Sequence, residues 1–286
     1  MKQLSTGWAA RVLVACSCLL ASACAPLHHE TLASSKQKQL REIDIQLVIP
    51  QETFIFSVPI TGLQPSAGGV GGAAMLSALI AIGNSATQTR DQERLRPQMR
   101  PILDSVIDTD LREEAANAVR AAAHRFPFKI RTVAVANRIP SDAEMDAMIA
   151  RTKGGTPFIQ LFVHYSVDLK SSTLTTGTHI GMWQDGVMRR SYGGSAVFQG
   201  RFASGLPGVR TNSELPDLLN QAMQETLRMV ALDMQRPAGE PSLTMEHEAS
   251  VWVNGIAKPF KAKRIDGDGR RPLLRDQKGV LYSLQE

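Results

Sequence analysis

Cysteine is scarce in this sequence, and its three cysteines all lie near the start, at Cys16, Cys18 and Cys24. No disulfide within the chain can therefore staple anything that follows residue 24. Apolar residues make up 43% of the sequence and charged residues 21%, which is typical of a folded globular protein. A chain of 286 residues can bury a sizeable core, so the fold must depend on that core.

Familiar catalytic and nucleotide-binding motifs are missing as well. The sequence has no GxxxxGKS/T phosphate loop, no GxGxxG between a strand and a helix, no HExxH and no GxSxG. Ser195 follows two glycines after a predicted strand, but nothing marks it as a nucleophile, and a turn is the preferred interpretation. No enzymatic activity, cofactor or metal is predicted.

The first 24 residues carry the most specific signal. Lys2 and Arg11 precede a short apolar run over residues 12–20, and Ala21-Ser22-Ala23 leads directly into Cys24. This pattern resembles the lipobox of bacterial lipoproteins, which implies that residues 1–23 are a signal peptide and that Cys24 is acylated, for example with palmitate. In the alternative, Cys24 is an unmodified residue after an ordinary secretory signal.

The same resemblance implies a location. Ala25 follows the cysteine and corresponds to the outer-membrane sorting default, with the body facing the periplasm. The net charge of +5 falls to about +3 once Lys2 and Arg11 are removed, so no nucleic-acid partner is predicted. Residues 24–40 are polar and are predicted to form a flexible tether, in which His28, His29 and Glu30 are solvated rather than metal ligands.

A glycine-rich segment over residues 67–86 carries no charge. Within it, Gly68, Gly72 and Leu76 lie four apart, as do Gly69 and Ala73. Small residues at this spacing let another backbone approach closely, so these five residues mark a candidate membrane or self-association surface. The preferred interpretation is a buried or interfacial helix, and the alternative is membrane insertion. With the charged helix predicted over residues 87–105, it would form a projecting helical hairpin.

Residues 41–236 are predicted to form one αβ domain, followed after Pro237, Gly239 and Pro241 by a small β region over residues 243–286. Alternating apolar residues predict strands over 43–49, 129–139, 159–167 and 174–182, and helical stripes predict helices over 111–125, 143–153 and 213–235. Asp185-Gly186 predicts a two-residue hairpin into a strand over 187–192, with a loose loop beyond it to about residue 212.

The expected fold class is therefore α+β, with helices packed on one face of a mixed or antiparallel sheet. The order of elements resembles the periplasmic αβ domains of the CsgG, LpoB and TolB N-terminal type. That resemblance implies a fold and no functional residues. In its general layout, the chain is also similar to uncharacterised lipoproteins of proteobacterial envelopes.

Several polar clusters are candidate sites. His164 and His179 should come close to opposite each other on adjacent strands, and with Tyr192 they make the best candidate for a hydrolase, although two sheet histidines are the preferred interpretation. Asp266 and Asp268 are interpreted as a hairpin turn. A basic patch is interpreted as a protected strand edge, with lipid headgroups or peptidoglycan as the alternative contact: Lys258, Lys261, Lys263 and Arg264.

The sequence thus predicts a non-catalytic, lipid-anchored envelope protein that acts as an interaction or assembly component on the periplasmic side of the outer membrane. The expected partners are the membrane, through the lipid, and a protein partner or second copy through residues 67–86. Two alternatives remain: a subunit of an outer-membrane pore or secretion assembly with residues 67–86 inserted, and an envelope hydrolase.

Overall fold

The computed structural model describes residues 29–50, 55–57, 100, 110–203, 214–236, 246–253, 255–266 and 271–284. Its strands are β1 (Glu42–Val48), β2 (Ile55–Ser57), β3 (Lys129–Ala136), β4 (Phe158–Asp168), β5 (Thr173–Trp183), β6 (Tyr192–Arg201), β7 (Glu246–Val253), β8 (Ile256–Asp266), β9 (Leu273–Asp276) and β10 (Leu281–Leu284). Its helices are α1 (Ser34–Gln39), α2 (Leu111–Ala122), α3 (Asp142–Arg151) and α4 (Glu214–Gln235), with a short 3-10 turn at Ala123–Arg125.

All these strands belong to one mixed sheet. Nine of them follow the order β3-β1-β4-β5-β6-β10-β9-β8-β7, and β2 pairs with β4 beyond the end of β1. The α+β class predicted from the sequence is confirmed. The projecting hairpin predicted over residues 67–105 falls, apart from Arg100, outside the described residues.

One face of the sheet, the helix face, carries the main core. Alternate residues of the central strands point to it, among them Leu161, Ile180 and Phe198, and each is at most 1% exposed. The helices α2 and α4 cover this face, as the apolar stripes of their sequences predict. On α4, for instance, Leu215, Leu219 and Met223 recur at helical spacing and are buried.

The opposite face, called here the second face, is covered in a different way. The predicted packing of all helices on one face is wrong, because α3 lies against the second face, where its Met145 sulfur is 3.5 Å from the amide nitrogen of Gln160. The helix α3 begins with a capping box, in which Ser141 and Glu144 bond to each other's backbone N–H groups. No helix among the described residues is long and apolar enough to span a membrane.

The prediction for the segment after Asp185 is wrong. Asp185 and Gly186 do adopt the positive φ angles of a tight turn, 62° and 69°, but the next strand begins only at Tyr192. Residues 184–191 form a loop, and part of the predicted loose loop is β6. Its run of small residues shows no apolar alternation because nine of its ten residues are buried, with cover on both faces.

The C-terminal strands join the main sheet, which the sequence does not predict. β10 runs parallel to β6, with Leu281 opposite Ala196. The hairpin of β7 and β8 then folds over the second face, where the side-chain amide of Gln199 donates to the carbonyl of Trp252 and accepts from its N–H, at 2.9 and 2.8 Å. A second core forms beneath the hairpin around Val197, Val251 and Tyr282.

The two ends of the sheet are named here by the strands that begin or finish there. At the proximal end β6 begins, and Gly193 lies opposite Gly181. At the distal end β4 finishes, and Asp168 lies opposite Ser57 of β2. Gly181 is itself opposite Gln160, so the two levels are eight residues apart along β4, about 26 Å.

Candidate functional site

The N-terminal segment is docked on the proximal end of the sheet. Glu30 donates its N–H to the carbonyl of Gly193 at 2.8 Å and accepts from the N–H of Gly193 at 3.1 Å, as a one-residue addition to the edge of β6. Leu32 and Leu40 are buried in the main core. The predicted flexible tether is therefore wrong for residues 29–40, which pack against the body.

His29 reaches the helix face and meets a buried carboxylate. Its Nε2 lies 2.8 Å from Oδ2 of Asp233, whose side chain is only 1% exposed. The hydroxyl of Tyr192 donates to the same oxygen at 2.9 Å, and the guanidinium of Arg275 pairs with the carboxylate. The prediction that His29 is solvated is wrong, since 13% of its side chain is exposed.

The charges of this cluster balance. Burial, with the nearby charge of Arg275, lowers the pKa of His29 to about 4, although Glu30 opposes the shift. The imidazole is therefore neutral near pH 7 and donates from Nε2 to the carboxylate. One carboxylate then faces one guanidinium, and the two neutral donors both bond to its Oδ2.

Two glycines make room for His29. Gly279 has a φ of +84°, and a Cβ at that position would collide with the Cβ of His29. A Cβ on Gly194 would lie 3.3 Å from the His29 ring. A side chain at residue 279 is therefore excluded both by backbone conformation and by the docked segment.

Glu30 points to the second face and meets the loop before β6. Its carboxylate lies 3.7 Å from Arg190 and 4.0 Å from Arg189. Beside it is an open cleft of about 510 Å³, lined by Phe162, His179 and Trp183 among others. The docked segment thus contacts both faces of the sheet, the helix face through His29 and the second face through Glu30.

The histidine pair lies on the second face, as predicted, but not directly opposite. His179 faces Phe162 and His164 faces Gly177, so the two histidines are diagonal neighbours. Burial lowers the pKa of each to about 4, and for His179 the charges of His164 and Arg190 add to the effect. Nδ1 of His179 lies 3.2 Å from Oγ of Ser195.

The hydrolase constellation is not assembled. Tyr192 lies on the helix face with Asp233, whereas both histidines lie on the second face. Ser195 belongs to β6, where it is 3% exposed, so the predicted Gly-Gly-Ser turn is wrong. Among the described residues, no three His, Cys, Asp or Glu side chains are placed to hold a metal ion.

The other predicted site residues separate into two groups. Cys24 lies outside the described residues, as do Gly68, Gly69, Gly72, Ala73 and Leu76. The basic residues of the predicted C-terminal patch lie along β8: Lys258, Lys261, Lys263 and Arg264. Asp266 ends that strand, and Asp268 is outside the described residues.

The residues that sequence reasoning missed are Asp233, Arg275 and Gly279. Asp233 carried a usable signal, because it falls beside Val230 and Met234 on the buried side of a long helix, where a lone carboxylate requires a partner. The identity of that partner could not be predicted, since His29 is 204 residues away in the chain.

No protein-family model matches the chain, and no significant match exists among curated proteins.

Proposed function

We propose that this protein is a non-catalytic, lipid-anchored component of the bacterial envelope, held on the periplasmic side of the outer membrane through acylated Cys24. The observation that carries the proposal is the docking of His29 and Glu30. It leaves only residues 25–28 between the lipobox cysteine and the folded body.

The short connection sets how the body stands on the membrane. Five Cα–Cα steps separate Cys24 from His29, which span at most about 18 Å. Because Asp233 and Gly193 hold the docked segment at the proximal end of the sheet, that end faces the bilayer. An anchor of this kind orients the body instead of letting it diffuse on a long tether.

The chain departs towards the glycine-rich segment from the other end. The chain leaves the described body after Ser57, opposite Asp168 at the distal end, and α2 returns with Arg112 donating to the carbonyl of Ile49. We propose that residues 67–86, with the charged helix that follows, form the helical hairpin and bind a protein partner or second copy away from the anchoring bilayer. The interface would be formed by the small-residue stripe from Gly68 to Leu76.

A pore or secretion subunit is the second candidate, and the uncharged length of residues 67–86 favours it, because about twenty residues are enough to cross a bilayer. It predicts oligomers of one fixed size in detergent that are lost when the segment is deleted. A scaffold predicts monomers in detergent, or no more than a dimer where the segment binds a second copy.

The mass of the N-terminal peptide tests the anchoring. The mature protein should begin at Cys24 and carry the added mass of the diacylglyceryl and acyl groups, and Cys24→Ser should abolish the modification. An unmodified N-terminus, whether at Cys24 or at any other position, would contradict the proposal.

A further inference from the structure

We propose that the loop over residues 184–191, named here the proximal loop, is a second membrane contact that rests on the headgroups of the bilayer holding the lipid. The proposal rests on the anchoring of Cys24 set out above. Its occupant is the phospholipid surface, because the docked N-terminal segment brings that surface to this end of the molecule.

The tip of the proximal loop is apolar and exposed. Val187 is 48% exposed and Met188 is 61% exposed, and they are adjacent in sequence. Only five large apolar residues among those described are exposed to such an extent, and the other three lie singly. Adjacent exposed apolar residues at a loop tip are suited to partition into the interfacial region of a bilayer.

The loop is held in a defined shape. Gly186 donates its N–H to the hydroxyl of Thr152 at 2.8 Å, and the indole N–H of Trp183 donates to the carbonyl of Met188 at 3.2 Å. Trp183 is itself stacked on Phe158, with ring centroids 5.1 Å apart. Because these contacts hold the backbone, little ordering is required when the tip meets a surface.

Positive charge surrounds this tip. Arg189 and Arg190 follow it in sequence, Lys153 packs beneath Gly186, and Lys36 pairs with Asp185 at 3.7 Å. Against these four basic side chains stand two acidic ones, Asp185 and Glu30. Arg189 keeps 84% of its side chain exposed, so its charge is available to anionic headgroups.

The position of the loop relative to the anchor favours the bilayer, and not a protein partner, as the surface that the loop contacts. Arg189 and Arg190 contact the carboxylate of Glu30, the residue next to His29. With at most about 18 Å of chain between the lipid and His29, a surface beside Glu30 stays within reach of the headgroups. The acyl chains and the proximal loop would then fix the tilt of the body together.

A single fluorescent label measures this contact directly. All three native cysteines lie within residues 1–24, and Cys24 has no free thiol once acylated, so Met188→Cys provides a unique labelling site. The matched control is Ile256→Cys, which is 61% exposed like Met188 but lies beside Gly255, whose N–H donates to Asp168 at the distal end. The lipidated protein is reconstituted in vesicles of phosphatidylethanolamine and phosphatidylglycerol that contain a quencher-bearing phospholipid.

We expect a blue shift and strong quenching of the label at residue 188, and neither at residue 256. Arg189→Gln should lower the equilibrium constant between the bound and unbound loop about fivefold, as expected for one basic residue at an anionic surface. Lys170→Gln at the distal end should leave this constant unchanged. An unquenched label at residue 188, or equal quenching at both positions, would overturn the proposal.

Failure of the anchor and failure of the loop are separate results. The intact mass shows whether Cys24 carries lipid, independently of the label. If it does not, the proposed function fails, and the same vesicles test the loop in unlipidated protein that carries Cys24→Ser, in which the label at residue 188 is again unique. If lipid is present and the label at residue 188 remains in water, only the loop proposal fails.

Discussion

Asp233 is a carboxylate buried on the core side of a helix, and three side chains from distant parts of the chain converge on it. His29, Tyr192 and Arg275 supply two neutral donors and one charge. Such a group is costly to bury and remains stable only while its partners are in place. The cluster therefore joins the N-terminal segment to α4, β6 and β9.

Asp233→Ala should lower the free energy of unfolding by about 3–5 kcal/mol, because the buried guanidinium of Arg275 loses its only opposite charge in the cluster. Urea unfolding measures the loss. Asp217→Ala, at an exposed position of the same helix, is the matched control and should cost less than about 1 kcal/mol. Similar losses for the two variants would show that the cluster adds no stability.

Three partly buried histidines should make the fold sensitive to acid. His29, His164 and His179 each have a pKa of about 4 in the folded protein, below the ordinary 6.5. Between these values the unfolded chain takes up protons that the folded chain does not, so stability falls as the pH drops from 6.5 towards 4. Above pH 6.5 the three are neutral in both states and contribute no pH dependence.

The expected slope is roughly 1 kcal/mol per pH unit for each histidine. Urea unfolding measured from pH 7.5 to 4.5 gives this slope. His164→Gln should reduce the slope by the contribution of one histidine, roughly 1 kcal/mol per pH unit. His124→Gln, at an exposed histidine, is the control variant. A midpoint that does not change over this range would contradict the burial of these rings.

The sequence predicted several residues of the site and mistook others, for a physical reason. The starts of the helices predicted over residues 111–125 and 143–153 are confirmed, because their N-caps, Asp110 and Ser141, depend on neighbours within three residues. His29 was predicted to be solvated, because its partners are remote in the chain and local pattern contains no information about them. Long-range polar pairing is not encoded in periodicity.

At the scale of elements, the β7–β8 hairpin pairs with β9 at one end, and a few polar contacts hold its other end, near the turn, over the second face. Gln199 satisfies both backbone groups of Trp252, Asp168 accepts from the N–H of Gly255 at 2.6 Å, and Arg201 lies 5.5 Å from the Trp252 ring centroid. The side chain of Gln199 takes the place of a neighbouring strand. These two hydrogen bonds explain why Gln199 is buried in β6.

Gln199→Leu should release the hairpin without unfolding the sheet. Two backbone groups of Trp252 lose their partner, which costs about 2 kcal/mol, equivalent to about 30-fold faster local opening. Hydrogen exchange should rise in Glu246–Val253 and Ile256–Asp266 but not in Phe158–Asp168. Gln221→Leu, at an exposed position of α4, is the control. Uniform acceleration throughout the chain would show that the hairpin is not an independent unit.

Element predictions succeeded where apolar residues alternate along a strand and failed where they do not. The strands β4 and β5 alternate, and the sequence predicted them almost to their ends. β6 is made of small residues and buried on both faces, so it has no alternation to detect. For the same reason the parallel pairing of β10 with β6 could not be predicted from local pattern.

At the scale of the whole molecule, the described body has two distinct ends. The proximal end holds the docked N-terminal segment and the proximal loop, and the distal end is where the chain departs after Ser57. This arrangement would place the lipid and the glycine-rich segment at opposite ends. An oriented body of this kind can present a partner-binding segment away from the membrane that holds it.

Membrane fractionation with carbonate extraction tests this account most directly. The wild-type protein is compared with the same mature chain carrying Cys24→Ala and exported behind an ordinary cleavable signal peptide, so that no uncleaved signal can act as an anchor. The account predicts that wild type stays in the membrane after carbonate and that the variant is released as soluble periplasmic protein. Retention of the variant after carbonate would contradict it, because residues 67–86 would then insert without the lipid.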